Sequence, residues 1–339
     1  MKDKFHIPQF LIMVYLFLLM IGVIFLKIPI IPLVNDALIK WAMNGVLVLS
    51  LIPMMNVGAG MNFGMSIGIS AGLVGMCLAI EWRLQGFFGF FIAILLSVMI
   101  AILFGLVYSN ILNRLKGNEE IIGTVIGFAF IPLMNFFWTL APFSNRQMLY
   151  PVGGQGLRPK ISLSEYFGGI LDQSFVLTIG TVKIPVVLLG FYLLIGFFIY
   201  LFSKTLKNRY IKIVAENSKF AELSGISPNR NRTFSIILST CIAAIGICVY
   251  SQSYGFVQLY GGSDMMAFPA ISALLVGGAS RSQATVKHAL IGTFLFQTTY
   301  LLSVPIANEL LIPQMSEIIR MMVTNGVILY AFLYKGSVE

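Results

Sequence analysis

The sequence predicts an all-α integral membrane protein of about ten transmembrane helices, arranged as an inverted internal repeat with a long basic loop between the halves. Three observations predict this. Hydrophobic residues make up 58% of the 339 residues and charged ones only 10%, with a mean hydropathy of +0.90, whereas soluble domains carry roughly 25% charge. The apolar residues form continuous runs such as Phe10–Phe25, Phe87–Tyr108 and Ile184–Phe202, about what a helix needs to cross a ~30 Å hydrocarbon core, and they lack the alternation of a membrane barrel. The heptad ISAGLVG at Ile69–Gly75 returns 202 residues later as ISALLVG at Ile271–Gly277. At the same offset Gly60 pairs with Gly262 and Asn62 with Asp264.

Hydropathy and length place spans at about 9–31, 38–56, 60–80, 86–112, 120–142, 183–202, 233–251, 266–280, 286–305 and 315–334. Lys2 and Lys4 precede the first, as in a secretory signal, but Ile28-Pro29-Ile30 offers no small-x-small cleavage site, so a retained span is expected. Between spans six and seven, Lys204, Lys207, Arg209, Lys212, Lys219, Arg230 and Arg232 face only Glu216 and Glu222, which makes that loop cytoplasmic. With cytoplasmic termini, fourteen of the 22 Lys and Arg fall inside, among them Arg114, Lys116, Arg281, Lys287 and Lys335. The 143–182 segment is then extracytoplasmic, and its length together with Pro151, Gly153, Gly154, Gly156, Pro159, Gly168 and Gly169 predicts a working loop. Five crossings separate the two copies of the heptad, so the repeat is inverted. The chain is one membrane domain, 1–339, with repeats at about 38–142 and 233–334.

The net charge of +9 suits membrane orientation better than nucleic acid, because the cations sit between hydrophobic runs. Cys77, Cys241 and Cys248 lie in apolar segments without metal or redox spacing, and His6 and His288 are isolated near segment ends, so neither metal nor disulfide is expected. No Gly-Lys dipeptide occurs, which excludes a phosphate-cradling P-loop in this chain. Neither an HExxH pattern nor an intramembrane acid pair stands out, and no catalytic residue is expected.

Gly-interrupted apolar segments at matching places in two halves point to a solute path. The candidate pathway residues are Asn56, Met61, Asn62, Phe63, Met65, Ser66 and Ser70 in the first half, with Asp264, Met265 and Ser272 in the second. Asn62 and Ser66, four apart, would share a helix face if that stretch is helical. In the basic loop, Ile213, Val214, Phe220, Leu223 and Ile226 are apolar among polar neighbours. They predict a short amphipathic helix, a break at Ser224-Gly225, and a new helix capped by Ser227-Pro228.

Here the chain resembles the permease subunits of bacterial ABC importers, in the ten-span family that serves ribose and other sugars, nucleosides and branched-chain amino acids. The resemblance rests on Ala215, Ala221, Gly225, Ile226 and Arg230, spaced as in the family's A-x5-A-x3-G-I-x3-R coupling region. Asn118–Thr124 is similar to the N-E-V-I-x-T stretch of the nucleoside and simple-sugar branch, and Ala273–Gly278 to a later small-residue segment. Gly58–Gly64, GAGMNFG, departs from the ribose branch's G-G-I-D-L-S, with Asn62 in place of Asp. The resemblance implies a coupling loop at 203–232, where Ala215, Glu216, Asn217, Ala221, Leu223, Ser224, Gly225, Ile226 and Arg230 meet an ATPase. It also implies two ATPase subunits that use ATP, a second permease copy or paralogue, an extracytoplasmic solute-binding protein, and a bacterial inner-membrane location. This chain itself would bind no cofactor. An ion-coupled secondary transporter with inverted repeats, an amino-acid-type permease and a non-transporting scaffold are the competing readings.

Overall fold

The computed structural model describes residues 7–115, 119–150, 156–280 and 283–310, together with Ile318, Met322 and Gly326. Lys2, Lys4, His6, Lys116, Asn118, Pro151, Gly153, Gly154, Arg281, Lys335 and nearly all of the expected span at 315–334 lie outside them. The first half holds α1 (Ile7–Phe25), α2 (Ile30–Asn56), α3 (Met65–Glu81), α4 (Gly86–Arg114) and α5 (Glu119–Leu140). A structured connection follows, with β1 (Lys160–Ser162), α6 (Ile170–Gln173) and the hairpin β2 (Val176–Ile179) and β3 (Val182–Pro185). Next come α7 (Val186–Lys204), α8 (Leu206–Glu216), α9 (Ser218–Leu223), α10 (Pro228–Tyr254), β4 (Phe256–Gln258), α11 (Ala267–Val276) and α12 (Val286–Leu310). Among the described residues, α2, α4, α5, α7, α10 and α12 are long and apolar enough to cross a bilayer, and α1, α3 and α11 are shorter apolar helices.

Each of the first nine expected spans overlaps an apolar helix, with corrected ends, and the first also runs into the start of α2. The first stops at Phe25 because Lys27 takes a left-handed φ of 53°, and α2 starts at Ile30 rather than 38. Asn35 and Asp36, outside the expected span, sit on this helix, where Asn35 Oδ1 accepts the Lys183 backbone N–H at 2.8 Å. α3 starts at Met65 rather than 60, because residues 57–64 form a turn with Gly58 and Gly60 at φ 73° and 77°.

α2 and α10 pack together at the centre, and each is 27 residues long. α3 and α4 pack on α10, while α11 and α12 pack on α2. α3 begins at Met65 and α11 at Ala267, the same 202-residue offset as the heptads. The helix glycines allow close approach. A Cβ on Gly68 would stand 2.7 Å from the Thr240 carbonyl, and one on Gly72 2.7 Å from that of Ala244, both on α10. The last heptad glycines meet the following helix: Gly75 lies against the Ser97 backbone of α4, and Gly277 against the His288 carbonyl of α12.

The long connection is not a slack loop. β1 pairs antiparallel with β4, Lys160 opposite Gln258, and Pro159 O accepts the Leu259 N–H at 3.0 Å. α6 docks on the end of α10, where Asp172 Oδ1 accepts from Ser253 Oγ at 2.8 Å and Gln252 Nε2 at 3.1 Å. Burial pushes the Asp172 carboxyl above its ordinary pKa, and those two hydrogen bonds hold it partly down.

Gly75→Ala and Gly277→Ala are expected to force backbones apart and to destabilise by about 1–3 kcal/mol each, the usual range for overpacking. Gly190→Ala in α7, with nothing within 4 Å of the new Cβ, is the neutral control. Thermal unfolding in detergent followed by size exclusion would check this, and equal midpoints for all three would refute it.

Candidate functional site

The turn before α3 meets the first turn of α11. Phe63 and Phe268 rings lie 5.4 Å apart between centroids. Beside them lies a narrow crevice of about 10 Å³, room for roughly one water, lined by Phe63 and Ser66 from the first half and by Ser263, Asp264, Ala267 and Phe268 from the second, with Gly127, Phe128 and Ile131 of α5 closing one side. The first turns of α3 and α11 both border it, and neither helix has a side-chain N-cap. Backbone carbonyls take the Met65 and Ile67 N–H groups of α3 and the Ala270 N–H of α11, and the positive ends of both helix dipoles point toward the crevice. Ser66 Oγ donates to Gly127 O at 3.1 Å, which joins α3 to α5 at the crevice wall.

The sequence-derived pathway residues divide. Phe63, Ser66 and Asp264 line the crevice. Asn62 does not share a helix face with Ser66, because it lies in the turn; its Nδ2 donates to Ser239 Oγ at 2.9 Å, and Ser239 in turn donates to Ser50 O at 2.7 Å. This buried polar chain links the turn to α10 and α2, and the Asn62 Oδ1 has no partner among the described residues. Met61 and Met65 are core residues, and Met65 Sδ accepts from Ser50 Oγ at 3.5 Å. Ser70 and Ser272 are buried in their helices. Met265 is exposed beside Gln258. Asn56 is a clamp: its Nδ2 donates to Ala284 O at 3.1 Å and its Oδ1 accepts from Ala284 N at 2.9 Å. It fixes the end of α2 to the segment entering α12.

Sequence reasoning missed Ser263, Phe268, Gly127, Phe128 and Ile131. The 202-residue offset carries the signal for two of them, since Met61 maps to Ser263 and Ser66 to Phe268. Nothing distinguishes Phe128 from other span phenylalanines. Glu120 was also missed. Its Oε1 accepts the Met61 N–H at 3.3 Å, and its side chain fills the space a Cβ on Gly60 would need. The neighbouring Glu119 pairs with Arg232 at 2.7 Å, so the acidic start of α5 braces both the turn and α10.

Two overlapping G-x-S-x-G pentads, Gly64–Gly68 and Gly68–Gly72, run through α3. A nucleophile elbow needs a sharp strand-to-helix turn. Ser66 and Ser70 instead sit within a helix, so the pattern is one of packing glycines and not of catalysis.

The basic loop forms the two helices α8 and α9. Thr205 Oγ1 caps α8 through the Asn208 N–H, and Asn217 Oδ1 caps α9 through the Phe220 N–H at 2.9 Å. Asn217 is thus occupied as a cap. α9 ends with Gly225 at φ 78°, and the bonds Gly225 N to Glu222 O and Ile226 N to Ala221 O close a Schellman motif. Ala221, Val214 and Ile211 are buried against the ends of α2, α3, α4 and α10. Glu216, Phe220, Leu223 and Ser224 face outward, and Leu223 is 90% exposed. Ala215 touches the first turn: a Cβ on Gly58 would stand 3.1 Å from the Ala215 Cα. Arg230 stands apart from α8 and α9, in the first turn of α10 beside the end of α4.

The model of the family described as "branched-chain amino acid transport system / permease component" matches residues 33–331. Comparison with curated proteins and with solved structures returned no significant match.

In a chain with its three cysteines replaced, Ser66→Cys and Asp264→Cys are expected to react with a small hydrophilic thiol reagent. Ser70→Cys and Ser272→Cys should stay protected. Equal reactivity of all four, read by mass shift, would mean that the crevice is not the wet part of the path.

Proposed function

The chain belongs to the family of branched-chain amino acid transport system permease components, and from that premise we propose that it forms the solute path of an ATP-driven importer for a small polar solute, a sugar or nucleoside. One observation carries the reading. α8 and α9 present Leu223 and Phe220 to the outside and at the same time hold Ala215 against Gly58, which opens the turn leading to Phe63 and Ser66. A partner that moves α9 therefore moves one wall of the crevice. An exposed leucine on a short helix is a knob for a partner's groove, and an ATPase supplies the energy source that this chain lacks a P-loop to provide.

The wider architecture in this proposal is a ten-span domain of two inverted repeats with both termini cytoplasmic in a bacterial inner membrane. It pairs with a second permease, two ATPase subunits inside and a solute-binding protein outside. The inversion is supported by where the two turns are held. The first packs on α8 and the second on β1, and α7, long enough to cross the bilayer, separates those two connections.

For the solute, three phenylalanines offer flat apolar faces, while Asp264, Ser263 and Ser66 offer acceptors and hydroxyls. That set suits a hydroxyl-rich ring better than a free carboxylate, which Asp264 would repel. A specific feature favours the amino-acid alternative: two uncapped helix N-termini at one crevice suit an anionic group, and the family description names branched-chain amino acids.

The deciding experiment purifies the tagged full-length chain in mild detergent, identifies co-purifying proteins, and measures uptake in cells with competing sugars, nucleosides and branched-chain amino acids. A P-loop ATPase is expected in wild type. Leu223→Asp and Gly225→Pro should lower its recovery at least roughly tenfold, the loss of an interface anchor. Ala215→Leu should keep the ATPase bound and impair uptake. Wild-type uptake in Ala215→Leu, or no ATPase with any variant, would overturn the proposal.

A further inference from the structure

A second polar site lies away from the crevice, between the end of α4 and the start of α10. It is a cavity of about 500 Å³ with Asn110, Asn113 and Arg114 on one wall and Asn229, Arg230 and Thr233 on the other. No carboxylate lines it among the described residues. Arg232, the nearby cation that does have a carboxylate, is committed to Glu119 and is not in the lining. Arg114 and Arg230 are exposed, and a third cation, Lys207, stands over the Phe234 ring at 5.3 Å. α10 begins here with no acidic residue in its first turn and no side-chain cap from Ser227, so its positive end adds to the same field. Asn113 Nδ2 is spent on Thr233 Oγ1 at 2.9 Å. Its Oδ1 is buried and has no partner among the described residues, which leaves an acceptor waiting for a donor.

Two arginines from different helices facing an uncharged amide-lined cavity call for an anion, and arginine matches phosphate oxygens with paired donors. The surroundings choose the source. Phe234 and Ile237 complete the lining, and the α4 face that carries Asn110, Asn113 and Arg114 continues one and two turns back through Leu106, Val107 and Leu103, all exposed. Polar head contacts thus run into an apolar strip along a helix long enough to cross the bilayer. We propose that this cavity seats the headgroup of an anionic glycerophospholipid, with its phosphate on Arg114 and Arg230, a headgroup hydroxyl donating to Asn113 Oδ1, and an acyl chain along Leu106, Val107 and Leu103. Basic pockets between membrane helices near the cytoplasmic surface are established lipid seats in general. The seat joins α4 to the start of α10, the helix that follows α9 directly, so lipid occupancy stiffens the base on which the outward helices rest.

Native mass spectrometry of the full-length chain tests this, with phosphatidylglycerol and phosphatidylcholine of identical acyl chains as probes. Wild type is expected to retain phosphatidylglycerol on the order of tenfold better, the scale set by two cations near a headgroup. Arg114→Gln with Arg230→Gln should fall to the phosphatidylcholine level, and Lys183→Gln on the exposed hairpin should not change. Phosphatidylcholine retention, expected to be equal in all variants, reports that folding is intact. Unchanged phosphatidylglycerol retention in the double variant would overturn the site. Displacement of the lipid by inorganic phosphate or glycerol phosphate at matched concentration would overturn the lipid and leave a free-phosphate site.

Discussion

A backbone amide inside a bilayer has no water to bond, so every non-helical stretch at that depth must be satisfied by protein. Two non-helical stretches, residues 57–64 and 256–266, interrupt the apolar helices of this chain at matching places. Their partners organise the molecule. The first is bonded by its own turns and by Glu120, whose carboxylate takes the Met61 N–H. The second is laced to the long connection through the β1–β4 pairing and the Pro159 to Leu259 bond. The first bracket is at the start of α5 and the second in the connection that follows α5. The crevice beside Phe63 is bordered by residues of both stretches.

The glycines divide between two physical tasks that look alike in sequence. Gly58 and Gly60 take left-handed φ values that side chains resist, and they also lie against Ala215 and Glu120. Gly68, Gly72 and Gly75 are ordinary helical residues whose missing side chains let α3 press on α10 and α4. With no hydrophobic driving force between helices in lipid, such close packing supplies the cohesion. The polar chain Asn62–Ser239–Ser50 then sets the position of the first turn against that packed frame. An apolar turn would have nothing to fix its register.

Much of this was legible in the sequence, and the reason is the bilayer. Long apolar runs are forced on any helix that faces lipid, so α2, α4, α5, α7, α10 and α12 were readable from hydropathy. Ser224-Gly225 and Ser227-Pro228 marked a helix stop and start because left-handed glycine and first-turn proline are local chemistry. The repeated heptad also led to α3 and α11, since its offset is the offset of the helix starts. The crevice was only half legible. Phe63, Ser66 and Asp264 line it, whereas Asn56 and Met65 bond neighbouring groups and Ser272 is buried in α11, because polarity near a turn does not say whether a group bonds a solute or a neighbouring carbonyl. The contribution of α5 was illegible: Gly127, Phe128 and Ile131 reach the crevice through packing that leaves no mark in local composition. Glu120 was visible only as part of a motif, with no hint that it braces a turn 59 residues earlier in the chain.

The contact between Ala215 and Gly58 decides how force can pass. Both residues are nearly without side chains, so the contact is close to backbone against backbone, and backbone is the least compressible part of a packed protein. A long side chain in the same place would absorb displacement by changing rotamer. Around the contact, Met54, Val57, Ala59, Ile67, Val214 and Ala221 form one buried cluster, so α8, the end of α2 and the first turn pack as one block. Beyond the block, only the short path through Met61 and Asn62 separates it from Phe63. In the proposed function, a displacement of α9 would pass to the crevice wall through these contacts, with the second turn, paired to β1 through β4, on the opposite side.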